Sequence, residues 1–215
     1  YKDGIFDLGI NSNFILQGDG DTDRNMWVGT NALLYIANHN VTVNDCRLDY
    51  NSGATFKMSG STVTFDNVFV NDGTGTAGHA IYAYDIDDLS VYSTDFTGFS
   101  STILLEDIDV CPNDINVKID YSTFVNHDFA AIEAYNVERM RFFTSTATGQ
   151  TGVTAGLFLE DVDECLVDNS TITDYTLTSV DAGGIFCHRV GALIIDGSSI
   201  RDNTDGIEAR ATNVF

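Results

Sequence analysis

The sequence has few basic residues, almost no proline and no long apolar run. Lysine and arginine together number 10 of 215 residues, and Pro112 is the single proline. No apolar run approaches the roughly 20 residues that a membrane-spanning helix needs, so we expect no membrane insertion. No long stretch repeats apolar residues with the spacing of an amphipathic helix. These absences favour a fold made of strands and turns.

Acidic residues outnumber basic ones by 32 to 10, for a formal net charge of −22. Such a surface repels phosphate backbones, so we expect no nucleic-acid function. No linker or charge block divides the chain, which predicts one domain over residues 1–215 with a less regular N-terminal coil in residues 1–31. A fragment of a longer chain is compatible with this sequence, since neither end shows a capping segment.

Two short phrases alternate along the chain. The long phrase has an apolar residue at its first, third and eighth positions and then a turn. It starts seven times, at Val41, Val63, Leu89, Val117, Met140, Cys165 and Leu193. The short phrase has two apolar residues separated by one other, and its first residues are Phe56, Ile81, Ile103, Ile132, Leu157, Ile185 and Ile207.

A period of two within each phrase is the period of a β-strand, and the residues between phrases are turn formers. Strands that recur at a constant coil length stack about 4.8 Å apart and bury one another's apolar side. We therefore predict an all-β fold, a single-stranded right-handed parallel β-helix of about eight coils of roughly 25 residues. An antiparallel sandwich also has short strands, but it would not keep one phrase through successive units.

Small hydroxyl residues recur two positions before the third apolar position of the long phrase. We expect them to hydrogen-bond up and down a ladder at the turn between two sheets. The members of this column are Cys46, Val68, Thr94, Ser122, Ser145, Ser170 and Ser198. The four cysteines match no zinc pattern. Cys165 and Cys187 are predicted to face inward in one coil, either as small core residues or as a bridge.

From about Ala32 to Asn213 the chain resembles the right-handed β-helix repeat region of the pectin-lyase-like superfamily. The resemblance lies in "LSVYSTDFTGFSSTILLEDI", "VKIDYSTFVNHDFAAIEAYNV" and "LIIDGSSIRDNTDGIEAR". It implies the fold. Because the superfamily contains lyases, hydrolases, phage tailspikes and non-enzymatic surface proteins, it leaves the function open.

The outward positions of the short phrase are the candidate functional face. Aromatic rings there could stack on sugars, and interspersed carboxylates could accept hydrogen bonds from hydroxyls. The predicted carbohydrate-binding residues are Tyr84, Glu106, Glu133, Tyr135 and Glu160. The alternative interpretation is that these aromatics cover the sheet beneath a loop or a partner subunit.

Catalysis is a second interpretation of the same acids, with Glu106, Glu133 and Glu160 as candidates. The backbones of Glu106 and Glu160 should lie two coils, about 9.6 Å, apart, near the carboxyl separation of about 6.5–9.5 Å in inverting glycosidases. On the outer side of the long phrase, a lyase-like set is available in Asp120 and Asp168 with Lys118 and Arg141. Phe143 interrupts that row, and the superfamily's Arg-x-x-Pro-x-x-Arg motif is missing.

Acidic residues also gather at the corner after the short phrase, where a calcium ion could relieve their repulsion. These weak metal candidates are Asp85, Asp107, Asp109, Asp161 and Asp163. No other cofactor is expected. The sequence favours a non-enzymatic extracellular, cell-surface or virion β-helix that acts as a structural shaft, adhesin or glycan-facing module. Open solenoid ends predict a homo-oligomer or end-to-end assembly. The alternative is a polysaccharide lyase or glycoside hydrolase.

Overall fold

The computed structural model describes residues 14–17, 25–28, 31, 33–38, 40–60, 62–72, 78–109, 114–150, 153–176 and 183–210. Most of the predicted N-terminal coil, together with Cys111 and Pro112, lies outside these ranges. The described residues form strands and no helix, which confirms the predicted all-β class. The strands are β1 (Phe14–Gln17), β2 (Asn25–Val28), β3 (Leu33–Ala37), β4 (Val41–Asn44), β5 (Arg47–Tyr50), β6 (Thr55–Ser59), β7 (Thr62–Asp66), β8 (Phe69–Asp72), β9 (Ile81–Tyr84), β10 (Asp88–Tyr92), β11 (Asp95–Thr97), β12 (Ser101–Ile108), β13 (Val117–Asp120), β14 (Thr123–Val125), β15 (Ala130–Phe143), β16 (Thr146–Thr148), β17 (Ala155–Asp168), β18 (Thr171–Thr173), β19 (Gly183–His188), β20 (Ala192–Asp196), β21 (Ser199–Arg201) and β22 (Asp205–Arg210).

These strands lie in three parallel stacks, and each coil contributes one rung to each stack. Stack A contains β1, β4, β7, β10, β13, the C-terminal parts of β15 and β17, and β20. Stack B contains β2, β5, β8, β11, β14, β16, β18 and β21. Stack C contains β3, β6, β9, β12, the N-terminal parts of β15 and β17, β19 and β22. The chain is a parallel β-solenoid.

The number of turns is slightly smaller than the sequence predicted. Within the described residues, stack B has eight rungs, and the first and the last of these each have a neighbour on one side. About six turns of about 25 residues are therefore enclosed on both sides. The prediction of about eight coils is therefore larger by the two rungs at the ends of the described stack.

The core lies inside the coils and consists of the predicted apolar columns. In stack A, Val117, Met140 and Cys165 pair in consecutive rungs and are at most 1% exposed. Aromatic rings stack in the same way, with the ring centroids of Phe96 and Phe124 4.9 Å apart. Each such side chain contributes about 1.5–3 kcal/mol when fully buried. The constant register is thus a consequence of matching apolar positions in every coil.

Left-handed backbone conformations make two of the corners. At the corner from stack A to stack B, seven successive rungs have a residue with φ between 48° and 56°: Asp45, Asn67, Ser93, Tyr121, Thr144, Asn169 and Gly197. At the corner from stack C to stack A the equivalent residues are Asn38, Gly60, Asp85, Asp107, Asn136, Asp161 and Arg189. Asp, Asn and Gly tolerate this region, whereas bulky and β-branched residues rarely adopt it.

The hydroxyl ladder is confirmed. Ser122 N–H donates to Ser145 Oγ at 3.0 Å, and Ser145 N–H donates to Ser170 Oγ at 3.1 Å. Ser170 N–H continues the series to Ser198 Oγ at 3.0 Å. The hydroxyls therefore satisfy backbone N–H groups that the two neighbouring stacks leave unpaired at this turn.

Cys46, Cys165 and Cys187 are free and buried. Of the two interpretations of Cys165 and Cys187, the structure has them as core thiols and not as a bridge. Burial raises the pKa of the Cys187 thiol to about 12 and that of the Cys46 thiol to about 11. These groups stay protonated at neutral pH and behave as small apolar residues.

Candidate functional site

The outer side of stack C brings all five predicted carbohydrate-binding residues onto one surface. Tyr84, Glu106, Tyr135 and Glu160 occupy the same register position in four successive rungs. Glu133 lies in the neighbouring row, between Leu104 and Phe158. We call this surface the aromatic–acid face; its members are Tyr82, Tyr84, Glu106, Glu133, Tyr135, Phe158, Glu160 and Phe186.

Each of the three glutamates on this face accepts hydrogen bonds from a neighbouring side chain. The Tyr82 hydroxyl donates to Glu106 Oε2. The Tyr135 hydroxyl donates to Glu133 Oε2 at 3.0 Å. The carboxylate of Glu160 lies 2.7 Å from an Arg189 guanidinium nitrogen and 3.2 Å from His188 Nδ1. The acids are therefore held in place by partners on the face or at its adjoining corner.

Two tyrosine hydroxyls on the face are perturbed by these contacts. Burial, together with the hydrogen bond to Glu106, raises the pKa of Tyr82 to about 12. Burial and the charge of Glu133 raise the pKa of Tyr135 well above its ordinary value. Both phenols are consequently neutral hydrogen-bond donors throughout the physiological range.

The solvent exposure of the aromatic rings differs from one end of the face to the other. Phe158 and Phe186 are stacked with centroids 4.7 Å apart and an interplanar angle of 11°. Phe129 and Tyr135 approach Phe158 to 5.6 Å and 5.8 Å. Phe186 is only 6% exposed, whereas Tyr84, two rungs before Tyr135, is 39% exposed. The part of the face around Tyr84 is thus open to solvent, and the part around Phe186 is covered.

A lysine that the sequence argument did not single out lies among the tyrosines. Lys57 Nζ is 4.1 Å from the centroid of Tyr82, 5.5 Å from Tyr84 and 6.0 Å from Tyr35. Such contacts stabilise the ammonium group over the ring faces. Its position was available in the sequence, because Lys57 stands between Phe56 and Met58 in the first short phrase.

The lyase-like set on the outer side of stack A is arranged as ion pairs. Arg141 donates to both carboxylate oxygens of Asp120, through Nε and through one terminal guanidinium nitrogen. Asp120 is only 8% exposed. Lys118 Nζ lies 3.3 Å from Asp88 and 3.7 Å from Asp114. The two cations that could act as a base are therefore engaged by carboxylates. Asp168 is one rung beyond Phe143 and accepts a hydrogen bond from Asn169.

The corner acids have a conformational role. Asp85, Asp107 and Asp161 occupy the left-handed position at the corner from stack C to stack A, which Asp adopts readily. Asn136, between Asp107 and Asp161, donates to Asp107 Oδ1 at 2.8 Å. Arg189 Nε lies 2.5 Å from Asp161 and its hydrogen bond lowers the pKa of that carboxyl.

The remaining calcium candidates, Asp109 and Asp163, are exposed. Within the described ranges, no three or more His, Cys, Asp or Glu side chains are grouped as a metal site. Calcium binding stays a prediction. Over the same part of the chain, no helix has the length and apolarity that crossing a lipid bilayer requires.

Comparison with protein-family models, with curated proteins and with solved structures gives no match. The class of the protein is therefore defined by its own geometry. It is an acidic parallel β-solenoid with an outer face of interleaved aromatic rings and carboxylates.

Proposed function

We propose that this chain is a non-enzymatic β-helix of the pectin-lyase-like type, displayed outside the cell or on a virion, whose aromatic–acid face contacts a glycan. The observation that carries the proposal is the alternation of rings and fixed carboxylates along one strand stack. Rings offer a surface for the C–H face of a sugar, and carboxylates accept its hydroxyl protons.

The bonding of the acids favours binding over catalysis. Glu106 accepts a hydrogen bond from the Tyr82 hydroxyl at Oε2, and Glu160 accepts one from Arg189 at Oε1. A glycosidase needs one carboxyl that donates a proton to the leaving oxygen. The described contacts fix the orientation of both carboxylates and engage one oxygen of each, and the second oxygen can accept a sugar hydroxyl, which suits recognition.

The test measures binding and turnover on the same panel of plant, algal and bacterial polysaccharides. Calorimetry records binding, and reducing-end and unsaturated-product assays record cleavage. Tyr84→Ala with Tyr135→Ala should weaken binding about tenfold or more. Thr64→Ala, an outward substitution in stack A, is the matched control and should leave binding unchanged.

The glycoside hydrolase or lyase alternative is a distinct outcome of this experiment. Glu106 and Glu160 lie two rungs apart in one row, which is the observation that favours it. Cleavage that Glu106→Gln with Glu160→Gln abolishes would establish the enzyme and contradict the proposal. Absence of binding to every glycan would also contradict it, and would favour the shaft function.

A further inference from the structure

A second aromatic surface lies on another side of the solenoid, at the corner from stack A to stack B. Tyr92, Tyr121 and Phe143 approach one another in sequence, with ring centroids 5.2 Å and 5.5 Å apart. Tyr92 and Tyr121 are each 48% exposed, which makes them the most exposed large apolar side chains among the described residues. We call these three residues the aromatic ridge.

The hydroxyls of the ridge are free, unlike those of most other tyrosines. Tyr35 contacts Ser59, Tyr50 donates to Ala80 O, and Tyr175 contacts His127. Tyr82 and Tyr135 donate to glutamates. Within the described residues, the hydroxyls of Tyr92 and Tyr121 have no protein partner. They are available to an external ligand.

Tyr121 also stands where the backbone does not favour it. Its φ is 54°, and Tyr121 is the only aromatic residue among the corner residues of the described rungs, the others being Asp45, Asn67, Ser93, Thr144, Asn169 and Gly197. A bulky residue in this region is an outlier, and such outliers concentrate at functional positions. The backbone conformation of the corner therefore gives no reason for a tyrosine at this position. A binding role for its exposed ring gives one.

A groove lies at the same corner, and its lining residue Ser93 directly follows Tyr92 in the chain. Its volume is about 180 Å³, and its lining includes Asp45, Asn67, Ser93, Asp95 and Phe69. Asn67 and Ser93 are the corner residues of the two rungs before Tyr121. The groove is smaller than the roughly 300–1,000 Å³ of a typical small-molecule pocket. It suits a single ring of a longer chain whose other rings lie on the ridge.

The charged residues around the ridge and the groove favour an uncharged ligand over an anionic one. Arg141 near the ridge is already paired with Asp120, and Lys118 is paired with Asp88. Arg47, which lies over the groove residue Phe69, is paired with Asp49. Asp45 and Asp95 add negative charge to the groove. A uronate, sulfate or phosphate group would meet repulsion without a free cation to bind it. Uncharged hydroxyls can donate to these carboxylates and accept from the tyrosines.

We propose that the aromatic ridge and the adjoining groove form a binding site for an uncharged oligosaccharide. The site goes beyond the proposed function, because it lies on a different side of the solenoid from the aromatic–acid face. Stacking of sugar rings on Tyr92 and Tyr121 supplies the contact area, and the groove fixes one sugar ring by hydrogen bonds.

The experiment titrates the protein with neutral hexasaccharides of the β-glucan, xylan, mannan and chitin types and with oligogalacturonate, by calorimetry. At least one neutral hexasaccharide should bind, and oligogalacturonate should not bind at this site. Tyr121→Asn should weaken that binding about tenfold or more. This variant should fold, because asparagine occupies the same corner at Asn67 and Asn169. Tyr92→Ala should give the same result.

Thr148→Ala, an outward substitution at the end of β16 in stack B, is the matched control and should leave this binding unchanged. If Tyr84→Ala removes the binding and Tyr121→Asn does not, the ridge proposal is overturned while the proposed function stands. Absence of binding to every neutral hexasaccharide also overturns it. So does a dimer, seen by sedimentation velocity, that Tyr121→Asn converts to monomers, because the ridge would then be a contact between copies.

Discussion

Ile132 and Ile207 hold the same inward position in stack C, yet Ile132 is fully buried and Ile207 is 36% exposed. Ile132 has paired neighbours on both sides, Ile103 and Leu157. Within the described residues, β22 pairs only with β19, so Ile207 has a neighbour on one side. The same residue type in the same phrase thus differs in burial because a solenoid coil is covered by its neighbours and not by itself.

The largest expected effect tests this difference directly. Ile132→Asp buries an unpaired charge between two rungs and should cost more than about 4 kcal/mol of unfolding free energy. Ile207→Asp is the matched control and should cost about 1 kcal/mol or less, since water reaches that position. Urea denaturation followed by circular dichroism measures both. Equal losses in the two variants would contradict the register described above.

Burial inside the coils also changes the pKa of a histidine, His127. His127 is fully buried, and its Nε2 lies 2.8 Å from the Tyr175 hydroxyl. Burial lowers the pKa of His127 from 6.5 to about 4. The unfolded chain therefore takes up a proton between pH 6.5 and about 4 that the folded protein does not. The titration of His127 should therefore lower stability by about 3 kcal/mol across this window, and this single contribution should level off below a pH of about 4.

The variant His127→Gln isolates that contribution, because glutamine keeps a hydrogen-bonding group near Tyr175 but does not titrate. Its unfolding free energy, measured by urea denaturation at several pH values, should depend less on pH between 6.5 and about 4 than that of the wild type. Identical pH profiles for the two proteins would show that His127 is accessible to protons in the folded state.

A smaller effect is expected in the hydroxyl ladder. Ser145→Ala removes the acceptor of the buried Ser122 N–H and should cost about 1–3 kcal/mol. Ser198→Ala is the matched change in the last rung, where Ser198 is half-buried. It should cost less than about 1 kcal/mol, because water can replace the hydroxyl. Thermal unfolding compares the two, and a larger loss for Ser198→Ala would contradict the difference between enclosed and terminal rungs.

The smallest effect belongs to the outer face. Glu106→Gln with Glu160→Gln alters two half-exposed acids and should change the unfolding free energy by less than about 1 kcal/mol. Circular dichroism and urea denaturation measure this change. A large loss of unfolding free energy would show that these two acids stabilise the fold, and would contradict their assignment as groups available to a ligand.

Much of the fold could be predicted from the sequence, because stacking repeats the same requirement in every coil. The inward columns that include Val117 and Ile132 and the Ser122–Ser145–Ser170 ladder were all predicted from spacing alone. The outer face was predicted less completely. Its rows were correct, but the partners of Glu106 and Glu160 could not be predicted, because solvent-facing positions are under no common packing constraint.

The sequence by itself determined which side of each strand faces the core, since a period of two and a constant coil length leave one register that buries the apolar columns. Only the tertiary structure decided how far each coil is covered, as Ile132 and Ile207 show. It also decided that Tyr121, three residues before the buried Phe124, meets Tyr92 and Phe143. Those rings come from three separate coils, and a contact between coils depends on corner geometry that no single repeat contains.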